Sequence, residues 1–292
     1  MRRLLAVLSL VLLLPGLARA GELEPQHTAK VHDRNWMSIG VFAPLVWAPA
    51  DRIELSAHPL LWVSYPNLKA KVEHLRRGSV HLAGEYGLVF PSPAFRLAPP
   101  LGLAGYLTPS CLVTGDDPTR APGSCDRPGW HLVPSVGLLL SWGERHVLTA
   151  KADVAVGLVL AGQRGAPLDT WAPLDLELAP VFNVFRVHLG VRYDRLLHRI
   201  WRLVGEVNLW AVGPGPEPQR HPVVVSTYLG TEVALGRYTR LSVGFHWYNS
   251  DQRRTKVITD ADGYGKRVKV RSNELRPSLD FIWSWQVKKR KQ

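Results

Sequence analysis

A long run of strict alternation limits what this chain can fold into more than any other feature. From Trp130 to Trp142 every second residue is apolar, through Leu132, Pro134, Val136, Leu138 and Leu140. Between them lie His131, Val133, Ser135, Gly137, Leu139 and Ser141. The turn Gly143-Glu144-Arg145 follows, and the pattern resumes with Leu148, Ala150, Ala152, Val154, Val156, Leu158 and Leu160, opposed by Thr149, Lys151, Asp153, Ala155 and Gly157. Period-two alternation marks a strand with one apolar and one polar face. Trp130 and Trp142 stand on the apolar face, twelve residues apart. At roughly 3.3 Å per residue that is about 40 Å of strand, or about 30 Å of height at a tilt near 40°. An apolar band about 25 Å tall between two aromatic girdles has this spacing, so the hairpin reads as membrane-spanning.

The N-terminus points the same way. Arg2 and Arg3 precede an apolar run from Leu4 to Leu14, and Ala18-Arg19-Ala20 is a small-x-small cleavage site. That is the pattern of a secretory signal peptide; the alternative, an uncleaved anchor, has a short apolar run for a span. Residue 21 is Gly, which excludes lipid attachment at a new N-terminal cysteine. No later stretch reaches eighteen apolar residues, so entry into a membrane requires a closed barrel, the other fold that pairs every backbone group. The formal charge of +12 falls to about +9 when Arg2, Arg3 and Arg19 leave with the signal. Cys111 and Cys125 are the only cysteines. In an exported protein they are expected to form a disulfide rather than stay as free thiols. Closing a loop of about 15 residues would contribute about 3 kcal/mol in the chain-entropy model.

The alternation recurs along the chain. Outward rows run from Ile39 to Trp47, Ile53 to Ala57, Leu68 to Val72 and Val80 to Phe90. Further rows run from Leu174 to Phe182, Phe185 to Tyr193, Trp201 to Leu209, Val223 to Leu235, Leu241 to Trp247 and Leu275 to Trp285. With the opening hairpin this predicts an all-β fold, a closed antiparallel transmembrane β-barrel of about twelve strands, within a range of ten to fourteen. The predicted divisions are a signal peptide (1–20), an N-terminal periplasmic segment (21–34), the barrel (35–286) and a basic tail (287–292). Trp47, Trp130, Trp142, Trp247, Trp283 and Trp285 form the expected aromatic girdle. A soluble secreted sandwich or lipocalin-like barrel also alternates, but its strands are shorter. The count leaves one irregularity. It puts the long Asp251–Lys269 connection outside and the equally long cysteine-bearing segment, about Pro91 to Gly129, on the periplasmic side. A strand at Leu101 to Thr108 or a split at Pro59 to Tyr65 would change this.

At the level of architecture the mature chain resembles bacterial outer-membrane β-barrel proteins of the porin-like class. The last strand, with Phe281, Trp283 and Trp285 on one face, is similar to the aromatic-rich closing strand read by barrel-assembly machinery. It departs from the pattern in continuing through Gln286-Val287-Lys288-Lys289-Arg290-Lys291-Gln292. The resemblance implies residence in the outer membrane of a Gram-negative bacterium. Its implied partners are outer-membrane lipids and that machinery.

The polar faces would point into one lumen. They carry Glu54, Lys69, Lys71, Glu73, Glu85, Lys151, Asp153, Asp175, Glu177, Arg186, Arg192, Asp194, Arg202, Glu206, Glu232, His246, Glu274, Arg276 and Asp280. Same-face neighbours on a strand lie about 7 Å apart, within reach of long side chains. Mixed signs favour a structural network with limited permeability over a lining selective for one ion sign. Phe245-His246-Trp247-Tyr248-Asn249-Ser250 looks superficially like a lipid A deacylase motif, but position 248 is Tyr where serine is needed. Ser250 lies about 13 Å along a regular strand from His246, beyond hydrogen-bond reach. Asp175 and Glu177 suit acid-base chemistry in principle, yet every strand carries inward charges. Asp260-Ala261-Asp262-Gly263 opens like a calcium loop, but the position needing a bidentate Glu is Arg271. Arg253, Arg254, Lys256, Lys266, Arg267, Lys269 and Arg271 would sit on an external loop, placed to bridge lipopolysaccharide phosphates. No metal-spaced cluster, phosphate loop or nucleic-acid groove is visible, so no cofactor and no nucleic acid are implied. The sequence thus predicts a porin-like passive conduit or structural barrel. A lipid-modifying enzyme and a secreted soluble binding protein are the alternatives; the oligomeric state is open.

Overall fold

The computed structural model describes residues 23, 27–59, 62, 65–97, 129–162, 164, 172–214, 222–259 and 265–286, with side chains except at 96–97, 172–175 and 250–272. Thirteen strands and two helices follow in chain order. The first group is β1 (Trp36–Gly40), β2 (Leu45–Ala50), β3 (Ile53–Ala57), β4 (Asn67–Arg77), β5 (Val80–Val89) and helix α1 (Ser92–Leu97). Next come β6 (Trp130–Trp142), β7 (His146–Val156), β8 (Leu158–Ala161) and helix α2 (Ala172–Phe182). The chain ends with β9 (Phe185–His198), β10 (Trp201–Val212), β11 (Val223–Ala234), β12 (Thr239–Thr259) and β13 (Gly265–Gln286). Every pairing is antiparallel, β1 meets β13, and β5 pairs with β6, which closes the sheet. β8 continues β7 past Gly157 and pairs with β6 alone, so the wall has twelve positions.

The barrel is apolar outside and polar inside. Leu138, Leu140, Trp142, Leu189, Val191, Val207, Leu229 and Leu279 are exposed on the outer face. Their sequence neighbours Leu139, Ser141, Arg192 and Asn208 are buried inside. This is the arrangement of a barrel whose solvent is lipid. No helix among the described residues is long and apolar enough to cross a membrane. The turn expected at Gly143-Glu144-Arg145 joins β6 to β7, and Gly143 adopts φ +110°, a conformation open to glycine.

Three expectations are corrected. The row from Ile39 to Trp47 is two strands, because Pro44 and a turn at residues 41–44 interrupt it. The Asp280 carboxylate fixes that turn by accepting from the amides of Val41 (2.9 Å), Phe42 (3.1 Å) and Ala43 (2.8 Å). The row from Leu174 to Phe182, with Asp175 and Glu177, is helix α2. Leu174, Leu178 and Val181 have helical i, i+4, i+7 spacing, and Pro180 would have removed a ladder donor from a central strand. The third correction concerns Asp251 to Lys269. Most of this segment extends β12 and β13 as a paired ribbon, from Asp251↔Arg271 to Thr259↔Gly265.

These changes remove the topological irregularity. The extra turn at 41–44 reverses the direction of every strand up to β8, and the loss of the 174–182 strand restores it. Both termini of the barrel then lie at one end, here the terminal end. β5, β8 and β12 end, and β6, β9 and β13 begin, at the other, the loop end. Cys111, Cys125, Leu101–Thr108, the signal peptide, residues 260–264 and the tail 287–292 lie outside the described residues.

Val207 is 56 % exposed at the centre of β10. Val207→Arg is expected to cost about 2–4 kcal/mol in refolding into lipid vesicles if it lies near the bilayer midplane. At a water-facing position the same change would fall within about 0.5 kcal/mol, and that result would remove the lipid-facing assignment.

Candidate functional site: a lumen plugged from both ends

The terminal end is filled by the chain that precedes β1. Thr28, Ala29 and Val31 are fully buried within the barrel. Ala29 N donates to Ser141 Oγ at 2.7 Å, and Ser141 in turn meets Thr149 Oγ1 at 2.8 Å. Lys71 Nζ donates to the carbonyls of Thr28 (3.1 Å) and Lys30 (2.9 Å) and pairs with Glu54 at 2.6 Å. Glu54 also accepts from the His32 amide at 2.6 Å and meets the His32 ring at 2.6 Å, and that ring stacks on Trp36 at 3.5 Å. Glu73 binds Arg76 at 2.5 Å and His81 at 2.6 Å. Arg202 donates to the Leu23 carbonyl. The segment expected as periplasmic is therefore packed inside the mouth from residue 27 to residue 33. Its polar backbone takes its partners from inward-facing strand residues, as buried backbone must.

Helix α2 crosses the loop end. Leu178, Val181 and Phe182 pack with Val133, Ala155 and Phe95, while Leu176 packs with Val224 and Tyr248 across the lumen. The Arg164 guanidinium holds its C-terminal end, donating to the carbonyls of Pro180 (2.9 Å), Asn183 (2.7 Å) and Gly157 (2.5 Å). Such donors satisfy helix-end carbonyls that lack an intrahelical partner. A side chain at position 157 would collide with the Pro180 carbonyl, so the close approach of α2 to the wall requires glycine there.

Between the plugs lies a charged belt. Lys151 sits 3.1 Å from Glu85 and 3.6 Å from Asp153. Asp153 is taken by His188 (2.6 Å) and Arg186 (3.3 Å), and Arg186 continues to Glu177 on α2 at 3.0 Å. His188 bridges on to Asn208 at 2.7 Å and stacks on Trp210 at 3.8 Å. Farther along β9, toward the terminal end, Arg192 forks onto Asp194 at 2.9 and 3.0 Å and reaches Glu206 (3.5 Å) and Glu232 (3.8 Å). Arg202 lies 3.9 Å from Asp194, and Arg240 lies 3.8 Å from Glu232. Arg276 pairs with Glu274 at 2.6 Å, nearer the loop end. His246 turns inward between Tyr228 and Tyr248, at ring distances of 4.4 and 6.0 Å.

The sequence-predicted lumen residues with described side chains turn into this interior, except that Glu177 arrives on a helix. Asp175 lies on the same helix with its side chain outside the described set. Trp47, Trp130, Trp142 and Trp283 are exposed on the outer face, with Trp247 and Trp285 half-exposed. Sequence reasoning missed Thr28, Ala29 and His32 of the plug, Trp210 and Arg164. The run of small and polar residues before Trp36 carries no period, and Trp210 breaks the apolar-outward rule by turning inward onto His188. Among the described residues, two chambers between the plugs share part of their lining. One, of about 680 Å³, is polar and lined by His27, Lys151, Arg192, Glu206, Tyr228 and His246. The other, of about 830 Å³, is mostly apolar and is walled by Val89, Val133, Leu178 and Trp210. Lys69, Glu85, Lys151 and His188 border both.

No protein-family model matches this chain, and no curated protein does. Among solved structures it is similar to OmpT, an outer-membrane protein of Vibrio cholerae, at 10 % identity over 83 % of this chain, with a TM-score of 0.44. The chain spans 64 % of the length of that OmpT structure. It is similar to an outer membrane channel from Pseudomonas putida F1 at 11 % identity, over 90 % of this chain and 100 % of the other, with a TM-score of 0.44. It is also similar to the outer membrane protein OprD of Pseudomonas aeruginosa at 11 % identity, over 88 % and 61 %, with a TM-score of 0.39. No residue role passes from these proteins to this one.

The belt couples charges across strands more than along them. Glu85→Gln removes the closer of the two carboxylate partners of Lys151 and is expected to cost about 3 kcal/mol. The double variant Glu85→Gln/Lys151→Gln should cost less than the sum by about 0.5–3 kcal/mol, a coupling larger than that between Lys151 and Asp153. Equal coupling for both pairs, measured by refolding into vesicles, would contradict the cross-strand assignment.

Proposed function

We propose that this protein is a porin-like outer-membrane barrel acting as a narrow, restricted conduit rather than an open pore. The observation that carries this reading is the double constriction: residues 27–33 fill one mouth, α2 crosses the other, and the charged belt spans the space between. A barrel of twelve strands is wider than the eight-strand barrels that side chains alone can fill, so chain segments occupy the excess width. Opposite charges held close together leave no single-sign field to attract one class of ion, which supports weak ion preference.

The finer readings complete the proposal. Export uses the cleaved signal peptide of residues 1–20 in a Gram-negative cell, and Cys111 and Cys125, in the sequence between β5 and β6, form a disulfide. Outer-membrane lipids surround the apolar band. The basic residues of the β12–β13 ribbon engage lipopolysaccharide phosphates, and the barrel-assembly machinery reads the aromatic last strand.

The test is conductance in planar bilayers. The intact protein is expected to give small, infrequent steps. Deleting residues 24–33 should enlarge the steps several-fold while the barrel keeps its heat-modifiable migration in gels. Large steady conductance from the intact protein would defeat the plugged reading, and recovery as a soluble periplasmic protein would defeat the membrane reading itself.

A further inference from the structure

We propose that the barrel holds a binding site for a single-chain amphiphile with an acidic headgroup, entered sideways from the bilayer through a notch in the wall above the β1–β2 turn. The proposal rests on the membrane-spanning reading and goes beyond passive conduction. Strand lengths create the notch. β1, β2 and β3 have 5, 6 and 5 residues, whereas β13, beside β1, has 22. Pairing of β1 with β13 ends at Gly40↔Ile282, followed by one bond from Val41 N to Phe281 O at 3.1 Å. Beyond that point, among the described residues, no strand pairs with the β1-facing edge of β13.

The edge carries a chemical mark of its position. In an antiparallel strand the N–H and C=O of one residue point to the same neighbour, and alternate residues point opposite ways. Phe281 bonds toward β1, while Ser284 N donates to Tyr238 O on the β12 side at 2.7 Å. Residues 275, 277 and 279 therefore face the notch. Position 277 is proline, which removes a donor where no strand would receive it. Leu275 and Leu279 on the same edge are exposed on the outer face, so the notch runs through apolar surface.

The notch leads to the chambers. Phe42, 73 % exposed at the tip of the β1–β2 turn, lines both of them together with Pro44. Pro277, Ser278 and Leu279 line the polar chamber along the edge itself. The apolar chamber, at about 830 Å³, falls within the range of about 300–1,000 Å³ usual for small-molecule sites. Lys69 lines both chambers, with a side chain 43 % exposed; its nearest carboxylate is Glu85 at 3.8 Å, which Lys151 approaches more closely at 3.1 Å. Lys69 thus keeps capacity for a second anion, while Arg186 is already engaged by Asp153 and Glu177. An acidic headgroup at Lys69 places its chain between Val133, Leu178 and Trp210. The same surroundings offer a neutral headgroup no charge partner.

The test uses bromododecanoic acid and bromododecanol as quenchers in phosphatidylcholine vesicles holding the full protein. Quenching lost on Trp210→Phe isolates the chamber from the outward tryptophans. Both probes are expected to quench Trp210 saturably. Lys69→Gln should weaken the acid about tenfold and leave the alcohol unchanged, as loss of one charge-assisted contact requires. Quenching that is identical with and without Trp210, or a Lys69→Gln variant that treats acid and alcohol alike, would overturn the proposal while leaving the barrel in place. Failure of the chain to insert into the vesicles would instead overturn the membrane reading on which it rests.

Discussion

Everything in this molecule depends on the fact that lipid cannot hydrogen-bond to a peptide group. A sheet placed there must close on itself, and its outer face must be apolar. Ionisable side chains at the level of the apolar band are then left with the interior as the place to go. The interior that results is too wide for side chains to fill and too charged to leave unpaired. The chain resolves this by folding its own segments inward. Residues 27–33 and helix α2 supply backbone carbonyls and apolar surface to an interior otherwise made of Glu, Asp, Lys and Arg.

Much of this was legible in the sequence because the wall obeys one rule, period two, over most of its length. The two errors of element type were local and of opposite effect. Leu174, Leu176 and Leu178 fit both templates; what separates helix from strand there is Pro180, which cannot donate to a ladder. The turn at 41–44 is hidden because Ile39 to Trp47 stays apolar through it; what creates it is Asp280, more than two hundred residues away, capping three amides. Pro44 is the one local sign of that turn, and because the two errors cancel, the strand count is right while two of its members are not.

The inward residues could be named from the sequence, but their partners could not. Lys151 and Asp153 are neighbours on one strand face and look like a pair. The structure gives Lys151 a closer partner in Glu85 on β5 and gives Asp153 to His188 and Arg186 on β9. Cross-strand register decides these pairings, and register depends on the whole barrel. The plug was illegible for a related reason: its residues take no periodic pattern, since each follows the shape of the mouth it fills.

The plug and the seam are one continuous piece of chain. Residue 33 is followed almost at once by five-residue β1, the strand that closes the barrel against β13. No linker separates the element that blocks the lumen from the element that completes the hoop. A pull on the first is therefore borne by the second, which is among the shortest staves of the wall. Traffic through the mouth and integrity of the closure are thus mechanically the same variable, so a looser fit in the entrance would be felt as a weaker joint in the wall.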